Sequence, residues 1–346
     1  MKSLRKIRES NFELLRLLSM LFIVWYHLLC FFVVETDDAP VYKAMYFPLH
    51  VAVICFVLIS GYFRIRPSIR GVAKLMFPLL MFYLPLTVYE MIFDSWGGGK
   101  SLFFFSKSPY WFIRTYFYLF LIAPVLNSYI DTDKRRLFLL LVLGFMAVYM
   151  GWLMHDSSMI DGKNLVLFMF LYVLGDCLKS FKEVTDRIPT CAIVLSYLLL
   201  NIALFVGYIT FFDSFVGKAI YRLGFPYCSP VLIFNAVLLF LMVGRLHFKS
   251  KAVNWLAGSV FAVYILHHQH LILHGWIKPC VLYTYHTIDT PWILILILGI
   301  QSLALMISFI MIDKMFVPVQ TAFFKAVSSC EVFLKNRLNS SNVRIC

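Results

Sequence analysis

The sequence predicts an all-α, polytopic membrane protein of about ten transmembrane helices with both termini in the cytoplasm. Three observations predict it: the composition, a series of apolar segments near membrane-spanning length, and basic charge in every second connection. Apolar residues make up 61% of the 346 and charged residues only 14%. A soluble domain is roughly half apolar and a quarter charged. Mean hydropathy is +0.82. Such a chain cannot cover its apolar surface with its own polar residues, so lipid has to solvate much of it. The 35 Phe, 19 Tyr and 7 Trp suit lipid-facing helices with aromatic belts.

A membrane span needs about 20 mostly apolar residues. Candidate segments lie at 11–34, 43–63, 75–94, 110–130, 137–155, 164–179, 190–211, 227–246, 254–274 and 292–313, the sixth being short. Lys2, Arg5, Lys6 and Arg8 precede the first, and no small-residue cleavage site follows it, so it reads as a membrane helix rather than a secretory signal. The remaining chain is too apolar for a soluble domain. The expected division is a transmembrane domain over 1–320 and a cytoplasmic tail over 321–346, partly amphipathic or disordered.

Charge gives the orientation. The N-terminus is basic, and the next connection is acidic with Glu35, Asp37 and Asp38. Arg64, Arg66, Arg70 and Lys74 follow, then 95–109 with only Lys100 and Lys107 beside Gly97, Gly98 and Gly99. Lys134, Arg135 and Arg136, then Lys179, Lys182 and Arg187, then Arg245, Lys249 and Lys251 are the later basic clusters, separated by poorer stretches. Dropping or merging one helix would break this alternation. Basic connections are the cytoplasmic ones, so the interior loops 212–226 and 275–291 are expected outside. The net charge of +13 is thereby explained by topology, and no nucleic acid partner is expected. Cys30, Cys55 and Cys177 lie in apolar runs without paired spacing, so neither a disulfide framework nor a zinc site is expected. No internal repeat or matched pair of broken helices of the transporter kind is visible.

Ionisable residues stand within the first, fourth and ninth helices, and a basic cytoplasmic cluster follows the second. The first helix reads NFELLRLLSMLFIVWYHL. At 100° per residue Arg16 and His27 share one face, about 16 Å apart along the axis. His27 is either a packed histidine bonded across helices or a proton-transfer group, which a histidine within a membrane suits. Arg16 is a snorkelling anchor or part of the same site, and Glu13 lies one turn away to pair with it. After the second helix, Ser60 and Gly61 would let a neighbouring backbone approach. The cluster Arg64 to Lys74 is a topology signal, a site for anionic lipid, or an anchor for phosphates. In the fourth helix, Trp111 suits the outer interface and Arg114 lies one turn inside it, snorkelling or contacting a polar substrate. In the ninth, His267, His270 and His274 recur on one helical face, but no carboxylate or thiolate accompanies them, so a polar cavity facing His27 is expected rather than a metal site. His50 reads as a satisfied core histidine at similar depth.

These residues resemble the transmembrane acyltransferases of acyltransferase family 3. The family's Arg-x10-His signature is similar to Arg16 and His27. Its Ser-Gly-aromatic segment resembles Ser60, Gly61 and Tyr62 in CFVLISGYF, and the next signature resembles Arg70, Lys74 and Pro78. Trp111 through Pro124, LGDCLKS at Leu174 to Ser180, and Ser259, Phe261, Tyr264 and His267 match later islands in order. The resemblance covers nearly the whole chain. It implies an O-acyltransferase of the bacterial inner membrane, with acyl-CoA as cytoplasmic co-substrate and no bound cofactor. It implies an acceptor hydroxyl on a surface or lipid-linked glycan, with polysaccharide-assembly proteins as neighbours. His27 would be the general base and Arg16 its electrostatic support. Arg70 and Lys74, with Arg64 and Arg66, would hold the CoA phosphates. Ser60, Tyr264, His267, Arg114, Trp111 and Glu13 would line the acceptor path. Many members carry an extracytoplasmic SGNH-type domain after the last helix, and no such segment follows here, so transfer is expected from the membrane domain itself. A transporter or flippase, and a passive scaffold in a capsule complex, are the alternatives.

Overall fold

The computed structural model describes residues 9–36, 39–93 and 110–342. Lys2, Arg5, Lys6, Arg8, Asp37, Asp38, the 95–109 connection and Arg344 lie outside the described residues. Among the described residues the chain is helical and holds no strand. The main helices are α1 Asn11–Val33, α2 Pro40–Phe63, α3 Ile69–Phe93, α4 Trp111–Tyr129, α5 Asp133–Leu153, α6 Leu165–Ser180 and α7 Thr190–Thr210. They continue as α8 Phe215–Gly224, α9 Pro230–Gly244, α10 Lys251–His268, α11 His270–Thr287, α12 Pro291–Met315 and α13 Val317–Asn342.

Every expected apolar segment is thus helical. Six helices (α1, α2, α3, α5, α7 and α12) are long and apolar enough to cross a membrane, and α10 with α11 makes a seventh if the bent pair is one span. α6 and α9 are shorter, with 16 and 15 residues. α4 has the length but is diluted by Arg114, Asn127 and Ser128.

Two expectations change, at the long connections and in the ninth segment. The 212–226 and 275–291 connections are not open loops: α8 fills most of the first, and α11 much of the second. The tail expected to be partly amphipathic or disordered is helical through Asn342, and its Phe323 and Phe324 pack on Phe77 of α3. The ninth segment is not one helix. α10 and α11 meet at an angle of 68°. Gln269 between them is extended, with φ −67° and ψ 129°, and its side chain accepts the Ile272 N–H at the start of α11. A polar side chain that can cap a new helix makes the break possible inside an apolar run.

α2 is the most buried of the membrane-length helices and packs on α1, α6 and α9. Its contact with α6 is made backbone to backbone. A Cβ at Gly61 would fall 1.9 Å from the Tyr172 carbonyl oxygen, and one at Gly175 would fall 2.3 Å from the Leu58 carbonyl oxygen. The close approach expected beside Ser60 therefore occurs, with a glycine on each helix.

The connecting segments bond to one another at two ends of the bundle. At the basic end, the Ser250 N–H donates to Ser10 Oγ (2.8 Å) and Arg245 donates to the Thr185 carbonyl (2.6 Å). Arg64 and Arg136 share Asp176, whose side chain is 1% exposed, with Nε–O distances of 2.6 and 2.7 Å. Both guanidinium groups also reach the Ile130 carbonyl, and Arg136 pairs with Asp133. At the opposite end, the Tyr227 N–H donates to the Asp161 carbonyl (3.1 Å), Arg222 donates to the Trp152 carbonyl (2.7 Å), and His270 lies 3.3 Å from Glu90.

Two stability outcomes follow, both read as unfolding of the purified protein in detergent. Gly61→Ala must push two backbones apart and is expected to destabilise by about 1–3 kcal/mol, whereas Gly275→Ala, which meets nothing within 4 Å, should not. Asp176→Ala leaves Arg64 half-buried without a carboxylate and the buried Arg136 with only the exposed Asp133, and a loss of about 3 kcal/mol is expected.

Candidate functional site

α1 builds one wall of the site. Its periodicity places Arg16 and His27 on the same cavity, as their spacing predicts. The cavity has a volume of about 760 Å³. Arg16 and Lys74 line it toward the basic end, and Lys163, Lys278, Glu35 and Asp161 line it toward the other. Between them the wall is largely aromatic, with Phe56, Phe112, Tyr116 and Tyr264 beside His27 and His268.

His27 Nδ1 lies 3.0 Å from Nε2 of His267, and Nδ1 of His267 lies 2.9 Å from the Val263 carbonyl one turn earlier in α10. His267 is 2% exposed and forms a layer behind His27. Phe31, one turn on from His27, stacks on its ring with centroids 4.8 Å apart and planes inclined by 5°. His268 approaches edge-on at 4.4 Å. The Gln269 break explains why two successive histidines serve one site: they close the last turn of α10, above which the chain turns away.

The break also undoes the expected face of three histidines. His270 and His274 belong to α11, with His270 beside Glu90. Ring atoms of His27, His267 and His268 instead lie within 4.8 Å of one another, an arrangement that could hold a metal ion. No carboxylate or thiolate belongs to the group.

Of the residues singled out in the sequence, His27, Arg16, Lys74, Ser60, Trp111, Tyr264 and His274 line the cavity. Ser60 Oγ donates to the Phe56 carbonyl (2.9 Å) and lies 3.2 Å from the Tyr116 hydroxyl. Arg64 does not line it, because Asp176 holds its guanidinium. Arg66 is exposed, and Arg70 lies over the Phe324 ring of α13 at 5.9 Å. Glu13 pairs with Arg16 at 2.8 Å without reaching the cavity, and Arg114 is also off its wall. His50 is bonded to the Phe225 carbonyl at 2.6 Å, and so is a satisfied histidine that also lines the cavity. The sequence reading missed His268, Tyr116 and Lys163. His268 was within reach of it: HHQH is a polar run inside an apolar helix, and a single-face count keeps only one of the first two histidines.

A family model described as "Acyltransferase domain" matches residues 9–311. The chain belongs to acyltransferase family 3. No match exists among curated proteins or among solved structures. The matched range contains the whole cavity, from Arg16 to Lys278. Membership and the apolar helices together make the chain a multi-pass membrane acyltransferase. Acyl transfer to a hydroxyl or amine needs a group that takes the nucleophile's proton, and an imidazole on a cavity wall is such a group.

Proposed function

We propose that this acyltransferase moves an acyl group, acetyl in the simplest case, from cytoplasmic acyl-CoA to a hydroxyl of a surface or lipid-linked polysaccharide in the bacterial inner membrane. The observation that carries the reading is one cavity that joins cations at the basic end to His27 and then to the opposite end. Arg16 and Lys74 meet the CoA phosphates at the basic mouth, with the exposed Arg66 and Arg70 nearby. The distance from Arg16 to His27 along α1, about 16 Å, suits an extended pantetheine arm. His27 takes the proton of the acceptor hydroxyl as its oxygen attacks the thioester carbonyl. The C–O bond forms, the C–S bond breaks, and the CoA thiolate leaves and takes up a proton. Proton transfer to a placed histidine contributes about 10²–10⁴-fold.

The orientation belongs to the same proposal. Ten crossings with both termini cytoplasmic put all the basic connections on the donor side. The support is that connections of one charge class bond to one another at one end of the bundle. α6 and α9, at about 24 and 22 Å, fall short of a hydrocarbon core of about 30 Å. Both helices pack against the central α2, where protein rather than lipid meets much of their surface. The bent α10–α11 pair is the feature that favours a transporter or flippase, but it has no counterpart elsewhere among the described residues.

His27→Ala and Arg16→Ala are expected to lower acyl-CoA turnover with glycan present, the first by at least about 10²-fold; normal turnover in both would remove the assignment. Single cysteines replacing Lys182 and Lys218 in a cysteine-free chain are expected to label from opposite faces of sealed vesicles with a membrane-impermeant maleimide. Labelling from one face would remove a span between them.

A further inference from the structure

We infer that His267 is a positioning residue that locks His27 into one tautomer, Nδ1 protonated, so that the Nε2 lone pair is the one offered to the cavity. The catalytic consequence rests on His27 being the base, as proposed above; the tautomer itself does not.

The Val263 carbonyl only accepts hydrogen bonds. His267 Nδ1, 2.9 Å away, therefore carries a proton. A neutral imidazole has one N–H, so His267 Nε2 is an acceptor. His27 Nδ1, 3.0 Å from that nitrogen, must then be the donor. That leaves the His27 lone pair on Nε2. The ring has little freedom to turn, since Phe31 stacks on one face and His268 meets it edge-on. The opposite tautomer would set two lone pairs against each other across 3.0 Å in a buried setting.

The partner's chemistry suits its depth. A carboxylate would orient His27 equally well but would bring a charge into an apolar bundle, where unpaired charge is expensive. His267 orients without charge, and its own orientation comes from a backbone carbonyl. When His27 takes a proton, its Nδ1–H bond to His267 becomes charge-assisted and strengthens, so the interaction favours the protonated state formed during transfer. A metal ion shared by His27, His267 and His268 is the competing account of the cluster. Two imidazole nitrogens bound to tetrahedral zinc at about 2.0–2.1 Å would stand about 3.3–3.4 Å apart, wider than the 3.0 Å seen, which is an ordinary N–H···N distance.

The test uses the full-length protein labelled with ¹⁵N-histidine in lipid nanodiscs. His27 resonances are assigned by their loss in His27→Ala. A protonated Nδ1 and an unprotonated Nε2 are expected at neutral pH; the reverse would overturn the inference. In turnover assays His267→Phe is expected to lower kcat by about 10²-fold or more with little change in KM for acyl-CoA. His267→Gln, whose Oε1 can accept at the Nε2 position, should regain at least tenfold of that loss. Wild-type kcat in His267→Phe, or equal rates for the Phe and Gln variants at equal thermal midpoints, would overturn the positioning role. One equivalent of metal in the purified protein, lost in His27→Ala, would overturn it in favour of a metal site. If His267→Phe does not fold, the wild-type spectrum decides alone. Normal turnover in His27→Ala would remove the general base and leave the tautomer to stand or fall by the spectrum.

Discussion

Lipid cannot hydrogen-bond the polar groups that this chain buries among its apolar helices, so partners inside the protein are worth most there. That constraint fixes how the helices are placed. Asp176 on α6 is held by Arg64, beyond the end of α2, and by Arg136 on α5. Asn201 on α7 and Asn235 on α9 exchange two amide bonds, at 2.9 and 3.0 Å. Ser259 on α10 donates to Asp313 on α12 at 2.6 Å. His27 on α1 meets His267 on α10 at 3.0 Å. Each pair joins segments distant in sequence, and each has two polar atoms that lipid could not satisfy. Apolar packing brings the helices together, but these pairs select which faces meet.

The site inherits its rigidity from the same source. α2 lies against α1, α6 and α9, and the Gly61 and Gly175 contacts bring α2 and α6 to backbone distance. α1 packs along the buried side of this core, so Arg16 and His27 project from a helix that is held along much of its length. Behind His27 the support is again a helix, because the His267 ring is tied to its own backbone at Val263. A base mounted between two packed helices can be held more closely than one on a loop.

Much of this was legible in the sequence, and the parts that were not share a cause. Apolar runs locate the helices because burial and lipid exposure both demand them. The eleven-residue step from Arg16 to His27 places both on one cavity wall, as a 3.6-residue period requires. What the period cannot show is where it stops. The apolar segment 254–274 resumes after the polar run His267–His270, so periodicity alone does not mark the break, which depends, with the pairing of His267 and His268 at one site, on a single capping side chain. The basic cluster after α2 shows a second limit. Arg64, Arg66, Arg70 and Lys74 look alike in sequence, yet Arg64 neutralises a buried carboxylate while the other three are exposed, Arg70 over an aromatic ring and Lys74 on the cavity. The residue that separates them is Asp176, more than a hundred positions away.

The unequal ends of the cavity bear on the direction of the proposed reaction. Arg16 and Lys74 line the basic mouth, and Glu13 pairs with Arg16 from outside the wall. At the other mouth Lys163 and Lys278 are balanced by Glu35 and Asp161, and Lys163 also lies 6.0 Å from the Trp111 ring. A polyphosphate donor is favoured by the first setting. The second, with mixed charge and an aromatic face, better suits a sugar, whose hydroxyls need both donors and acceptors. The two substrates would then approach His27 from opposite sides, and only the acyl group would have to pass between them. In the proposed reaction, His27 on the wall between these two ends would let the donor and the acceptor meet without either having to cross.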